Sequence, residues 1–108
     1  MPRYNKLVRD EIPKVIKKTG KEFSTRILSN EEYIVEVRKK LSEELTEYNE
    51  AETNKEAVEE LADILELIHA ATKIHGSSFE ELEEVRKQKT EKRGGFEKRV
   101  FLIEVEDD

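Results

Sequence analysis

The residues with the clearest chemical potential in this chain are four acids that interrupt apolar helical patterns. Glu44 and Glu47 are three residues apart, and so are Glu60 and Asp63. In a helix this spacing points both carboxylates of a pair in the same direction. If the two helices pack antiparallel, the four carboxylates converge on one point. A site so rich in oxygen suits Mg²⁺ or Mn²⁺.

The neighbours of these acids are more informative than their spacing, because acid-x-x-acid pairs recur elsewhere in a chain with 26 acidic residues. The first pair lies on an apolar stripe that includes Leu41, Leu45 and Tyr48, and the second pair flanks Leu61 and Ile64. An acid on a packing face is costly unless it is paired or binds a metal. The alternative interpretation is a helix bundle whose edge carboxylates form salt bridges with lysines.

The charge is divided into blocks along the chain. Residues 1–40 carry 11 bases and 6 acids, residues 41–84 carry 2 bases and 14 acids, and residues 85–99 carry 7 bases and 2 acids. A protein that coats nucleic acid has little use for the acidic middle block, so we expect no nucleic-acid partner. An acidic centre with basic flanks suits a metal ion bound to a phosphate ester. On composition alone, solubilising helix faces explain the same pattern.

Length and composition set further limits. A chain of 108 residues predicts one domain, 1–108, with a thin core that oligomerisation would complete. No apolar run approaches a membrane span, and no secretory signal follows the N-terminus, so we expect a cytoplasmic protein without a membrane partner. The absence of Cys excludes a disulfide framework, a zinc-thiolate site and a thiol nucleophile.

The elements that must position the acids are mainly helical. Apolar periodicity predicts helices at about residues 9–19, 31–51 and 79–92, and a further helix between Thr53 and Gly76. The helix predicted between Thr53 and Gly76 has a wide apolar face. Such a face indicates burial on more than one side and hence a homo-oligomer, a dimer or tetramer.

Caps and strands complete this expectation. Ser29 or Asn30 offers a cap for the second helix, and capping boxes at Thr53–Glu56 and Ser78–Glu81 open the next two. Residues 22–28 and 99–105 are typical of short strands and predict a two-stranded β pair. The predicted fold class is therefore mainly α, a helical bundle with one short β pair.

Three motifs together resemble a known group of proteins. The sequence KLSEELTE at residues 40–47, followed by ELAD at 60–63, resembles the EExxE…ExxD signature of the all-α NTP pyrophosphatase superfamily. YNKLVRDEIP at 4–13, and Lys89 with RGGF at 93–96, are similar to a subgroup of small MazG-like members. The order of motifs agrees over nearly the whole chain. Glu11 departs from the basic residue usual in that subgroup, which puts a minor phosphate contact in doubt.

The resemblance implies a role for each matching position. The implied Mg²⁺ ligands are Glu44, Glu47, Glu60 and Asp63, with Glu43 facing outward or assisting. The implied substrate-binding residues are Asn5, Lys6, Arg9, Lys89 and Arg93. Other interpretations stay open for the basic residues: Arg9 can stabilise a short helix, and Lys89 and Arg93 can satisfy a helix C-terminus. His69 and His75 have no partner set by spacing and are interpreted as structural.

The predicted reaction is hydrolysis of a nucleoside triphosphate between its α and β phosphates, giving the monophosphate and pyrophosphate. Mg²⁺, or Mn²⁺, would neutralise phosphate charge and lower the pKa of a bound water, and one carboxylate would take the proton. Removal of modified or surplus nucleotides is the family-level expectation. Two alternatives remain: hydrolysis of phosphoribosyl-ATP, whose enzymes typically lack the 4–10 segment, and a non-enzymatic helical interaction module.

Overall fold

The computed structural model describes residues 2–107 and contains four helices in this part of the chain. They are α1 (Ile12–Lys18), α2 (Asn30–Glu50), α3 (Asn54–Ile74) and α4 (Phe79–Arg93). The prediction of a mainly α fold is confirmed. None of these helices is both long and apolar enough to cross a membrane.

The centre of the fold is a hairpin of two long helices. α2 and α3 have 21 residues each, and only residues 51–53 separate them. A connection this short makes neighbouring helices antiparallel, and α2 and α3 pack against each other. α4 packs only against the end of this hairpin through α3. The two acidic pairs therefore lie on facing antiparallel helices, which is the arrangement in which they can converge.

The predicted caps explain where the long helices begin. The Ser29 hydroxyl accepts a hydrogen bond from the Glu32 amide at 3.2 Å, and the Glu32 carboxylate accepts one from the Ser29 amide at 3.2 Å. Thr53 accepts in the same way from the Glu56 amide at 3.1 Å. The Glu56 carboxylate, however, accepts from the Glu52 amide, so this box closes one residue earlier than predicted.

The last cap is similarly shifted. The Ser78 hydroxyl accepts a hydrogen bond from the Glu81 amide at 3.1 Å, as predicted. The Glu81 carboxylate accepts from the Ser77 hydroxyl at 3.0 Å and not from the Ser78 amide. The serine and threonine caps are therefore confirmed. The reciprocal carboxylate contact is less specific, because a glutamate side chain can reach any donor just before the helix.

The predicted β pair is wrong for the single chain. Residues 22–28 and 99–105 are not strands, and residues 2–107 contain no strand at all. The side chain of Ile27 is 96% exposed. An isolated pair of strands is marginal in water unless it packs on a helix or a third strand, and neither segment finds that support within the chain.

The core of one chain is thin. Val37 on α2, 1% exposed, is the one fully buried apolar side chain in the described part of the chain. The chain measures 61 × 36 × 27 Å and has an accessible surface of 10430 Å². A folded monomer of 12.7 kDa has a surface of about 6200 Å² by size scaling. The single chain therefore exposes about 4200 Å² more surface than a compact monomer of its mass.

Candidate metal centre

Three carboxylates meet where α2 and α3 face each other. Glu44 on α2 and Glu60 and Asp63 on α3 each offer one oxygen, and the three oxygens lie within 4.8 Å of one another. We call these three residues the acidic cluster. Glu43 and Glu47 form a second group of the same size with Glu44. Two ligand oxygens on opposite sides of Mg²⁺ are separated by about 4.2 Å, which is comparable with the separation of these oxygens.

Glu44 has the most deeply buried side chain of the acidic cluster. It is only 6% exposed, and its Oε2 has no hydrogen-bond partner among the described residues. Oε2 of Glu60 is likewise buried without a partner. A buried acceptor without a donor costs about 1–3 kcal/mol, and more when it is charged. Native structures contain few such atoms, and two of them in one acidic cluster leave acceptor oxygens that could bind a cation.

Electrostatics agree with this interpretation. Hydrogen bonding to Glu44, then desolvation, then hydrogen bonding to Glu47 raise the pKa of Glu60 to about 7. Carboxylates this close repel one another when all are charged, so they hold a proton between them. A divalent cation would replace that proton. The effect of Glu47 on Glu60 also places the fourth predicted ligand beside the cluster.

Two cations already lie against the cluster. Nζ of Lys40 is 3.5 Å from Oε1 of Glu44 and 3.3 Å from Oε1 of Glu43. Nη2 of Arg9 is 2.6 Å from Oδ1 of Asp63, and this hydrogen bond raises the pKa of the arginine. The cluster is therefore partly neutralised, yet the second oxygens of Glu44 and Glu60 stay without a donor.

A large cavity opens beside the cluster. Its volume is about 1100 Å³, and it is lined by residues 6–12, by residues of α2 between Asn30 and Glu44, and by residues of α3 between Asp63 and Ile74. Glu44 and Asp63 line it together with Lys6 and Arg9. Two of the residues predicted to bind phosphate are thus beside the acidic residues predicted to bind metal.

Other parts of the predicted site are distributed differently. Asn5 lines a smaller cavity of about 130 Å³, which shares Lys6 and Lys40 with the large one. Lys89 and Arg93 are exposed on α4 and line neither cavity. Arg93 lies in the last turn of its helix, where a cation also interacts favourably with the helix dipole. A phosphate-binding role for Lys89 and Arg93 stays a prediction.

The sequence interpretation missed several residues of the cavity. Lys40 is one, although its place four residues before Glu44 on a helix was a usable signal. Glu66 also lines the cavity, three residues after Asp63 on the same face. The ring of His69 stacks on Phe79 with centroids 3.9 Å apart, which supports its structural interpretation. His69 lines the cavity as well.

The fold and site define an all-α chain with an acidic cluster between two antiparallel helices and basic residues on an adjoining cavity. No family model, curated protein or solved structure matches the chain. The resemblance to MazG-like proteins therefore stays a prediction that depends on the motifs alone.

Proposed function

We propose that this chain is a Mg²⁺-dependent nucleoside triphosphate pyrophosphohydrolase that belongs with the MazG-like proteins it resembles. It would cleave a ribo- or deoxyribonucleoside triphosphate between the α and β phosphates, in the cytoplasm, to remove modified or surplus nucleotides. The observation that carries the proposal is the pair of buried, unpartnered oxygens of Glu44 and Glu60 beside Asp63. Two residues of the acidic cluster, Glu44 and Asp63, line a cavity that is also lined by cationic side chains.

The donor set fits a hard divalent cation. Glu44, Glu60 and Asp63 would hold it through oxygen, with Glu47 completing the set. When bound, Mg²⁺ or Mn²⁺ supplies charge neutralisation and lowers the pKa of a water ligand. One carboxylate of the cluster would accept the proton of the attacking water, so the reaction would need no covalent enzyme intermediate.

The basic residues of the cavity would hold the substrate. Arg9 is within 2.6 Å of Asp63, so its guanidinium is already beside the place where a metal-bound phosphate would lie. A guanidinium binds two phosphate oxygens at once, and an ammonium such as that of Lys6 acts as a point charge. These cations would stabilise the negative charge that develops on the departing pyrophosphate.

A homo-oligomer, a dimer or tetramer, is part of the proposal. On α3 the side chains of Val58, Leu61 and Leu65 are 63%, 46% and 47% exposed, although this is the most apolar helix. A second copy would cover them and supply the core that one chain lacks. In such an assembly, the exposed Lys89 and Arg93 of one copy would be able to contact the cavity of another copy.

Two observations favour the alternative of a non-enzymatic helical module. The ion pairs Lys40–Glu44 and Arg9–Asp63 are what salt-bridged edge carboxylates predict. Under this alternative, a proton shared between the carboxyl groups would take the place of a metal ion beside the free oxygens of Glu44 and Glu60. The other alternative, hydrolysis of phosphoribosyl-ATP, fits less well, since the 4–10 segment that this class typically lacks contributes Lys6 and Arg9 to the cavity.

Pyrophosphate release tests the proposed reaction. Wild-type protein would be incubated with Mg²⁺ and a panel of standard and modified nucleoside triphosphates, beside Glu44→Gln and Asp63→Asn. Loss of a residue that only supports a metal ligand costs about 10–100-fold, so loss of a ligand should cost at least about 100-fold. Glu91→Gln, exposed on α4, is the matched control and should keep wild-type activity. Equal activity in all four proteins would refute the assigned site.

A further inference from the structure

We propose that the C-terminal segment of one chain pairs as a β-strand with the segment before α2 of a second copy. We call residues 99–105 the tail segment and residues 22–28 the receiving segment. The inference concerns assembly and does not depend on the proposed reaction.

The tail segment exposes an unusual amount of apolar surface. Five of its seven side chains are apolar, and they are 72% to 87% exposed: Val100, Phe101, Leu102, Ile103 and Val105. β-branched and aromatic residues of this kind favour an extended, paired backbone. Contiguous apolar surface on a soluble chain marks a contact with another molecule.

The receiving segment matches the tail in its alternation. An antiparallel pairing that places Phe23 opposite Val105 also places Ile27 opposite Phe101, because side chains repeat every two residues along both strands. Aromatic and β-branched pairs of this type stabilise sheets. Phe23 is exposed and Ile27 almost fully so, which leaves both free to take part.

Charge neither drives nor forbids this register. At the end of the ladder Lys21 lies opposite Asp107, which offsets the repulsion between the opposing acids Glu22 and Glu106. Burial of the apolar face therefore decides the pairing.

The second copy is the favoured partner because of surface area. No backbone hydrogen bond joins the two segments within residues 2–107 of one chain. The accessible surface of 10430 Å² exceeds that of a monomer of this mass by about 4200 Å². A standard interface buries about 800 Å² per partner, and obligate dimers bury more. Exchange of two tails between two copies would cover part of this excess and give each strand its neighbour, and the helices of the second copy would supply the packing surface that an isolated pair of strands lacks.

Disulfide trapping tests the exchange directly, since the chain has no Cys. Thr25 and Ile103 lie opposite each other in the proposed register, where Cα atoms are about 4.5–5.5 Å apart and a disulfide fits. Thr25→Cys and Ile103→Cys chains, one carrying a tag that changes its size, would be co-expressed and mildly oxidised. We expect a disulfide-linked heterodimer as the main product. Thr25→Cys with Glu97→Cys, a position outside the ladder, is the control.

Three outcomes of this experiment would overturn the proposal. One is a yield of heterodimer no greater than the control gives. Another concerns a further variant in which one chain carries both Thr25→Cys and Ile103→Cys. A disulfide within that chain would mean that the two segments pair within one copy. The third is a dominant homodimer of Ile103→Cys, which means that tails pair with each other.

A charge in the tail gives an independent check. Phe101→Asp should raise the apparent dissociation constant of the assembly at least tenfold, measured by analytical ultracentrifugation. The helical signal in circular dichroism should stay unchanged, because residue 101 lies outside the helices. Glu104→Gln is the control in the same segment and should leave association intact. An unchanged dissociation constant in Phe101→Asp would contradict the exchange.

Discussion

At the scale of single residues, the packing face of α2 carries both a buried apolar side chain and a buried acid. Val37 and Glu44 are both buried and are seven residues apart, so they lie on the same face of the helix. A second apolar residue in place of Glu44 would enlarge a core that is already thin. A buried acid at such a position destabilises the fold unless a partner compensates its charge.

The raised pKa of Glu60 predicts how stability depends on pH without metal. Because the folded state holds this proton up to about pH 7 and the unfolded state loses it near pH 4.5, the free energy of unfolding should fall as pH rises between these values. In EDTA the melting temperature of wild type should therefore decrease from pH 5 to pH 8. Glu60→Gln should show a smaller decrease, since an amide cannot ionise.

The control for this prediction is Glu59→Gln, the exposed neighbour on α3. It should keep the pH dependence of wild type. If Glu60→Gln and wild type showed the same change of melting temperature between pH 5 and pH 8, the carboxyl cluster would not hold the proton assigned to it.

Substitution of Arg9 distinguishes a structural role of this residue from a role in substrate binding. Its ion pair with Asp63 is more than a third exposed on both sides, so Arg9→Gln should change the free energy of unfolding by less than about 1 kcal/mol. Loss of a charged hydrogen bond to phosphate is worth about 1.5–3 kcal/mol, which predicts a KM for the nucleotide about 10–100-fold higher.

Steady-state kinetics and urea unfolding on the same protein check this prediction, with Lys14→Gln on α1 as the control. Lys14 pairs with Glu11 on the exposed side of α1 and should affect neither quantity. A large loss of stability with an unchanged KM would assign Arg9 to structure alone.

At the scale of elements, the helices could be predicted from the sequence because their signals are local. Apolar periodicity and the caps at Ser29, Thr53 and Ser78 place the starts of α2, α3 and α4 within one or two residues. The segments 22–28 and 99–105 failed as strands, because a strand needs a partner that local pattern does not supply.

The same distinction applies to the candidate site. Acids on an apolar stripe identified Glu44, Glu60 and Asp63, since an unfavourable residue in a packing face is a local signal. The contact of Arg9 with Asp63 joins residues 54 positions apart, and only the fold brings them together. The contact of Lys40 with Glu44, by contrast, is predictable from their spacing of four residues on one helix.

The thin α2–α3 interface makes a matched pair of valines informative. Val37→Ala removes two methyl groups from the fully buried position and should cost about 2 kcal/mol in the free energy of unfolding. Val35→Ala, on the same helix but 49% exposed, should cost less than about 0.5 kcal/mol. Equal effects in urea unfolding would mean that the α2–α3 contact is not the core of the fold.

At the scale of the whole molecule, one chain exposes about 4200 Å² more surface than a compact monomer of its mass, and the proposed association would cover part of it. We expect light scattering after size exclusion to give a mass at least twice the 12.7 kDa of the chain. Leu65→Lys, on the exposed apolar face of α3, should lower that mass by placing a charge in the contact. Glu59→Lys on the same helix should not, and a stable, fully active wild-type monomer would contradict the assembly.

Thermal melting shows whether the acidic cluster binds a divalent metal ion. Wild type should melt at a higher temperature with Mg²⁺ or Mn²⁺ than in EDTA, because a ligand at 100 times its Kd stabilises the folded state by about 2.7 kcal/mol. Glu44→Gln and Asp63→Asn should lose this shift, and Glu91→Gln should keep it. If the melting temperature of wild type were the same with metal and with EDTA, the acidic cluster would not be a divalent metal site.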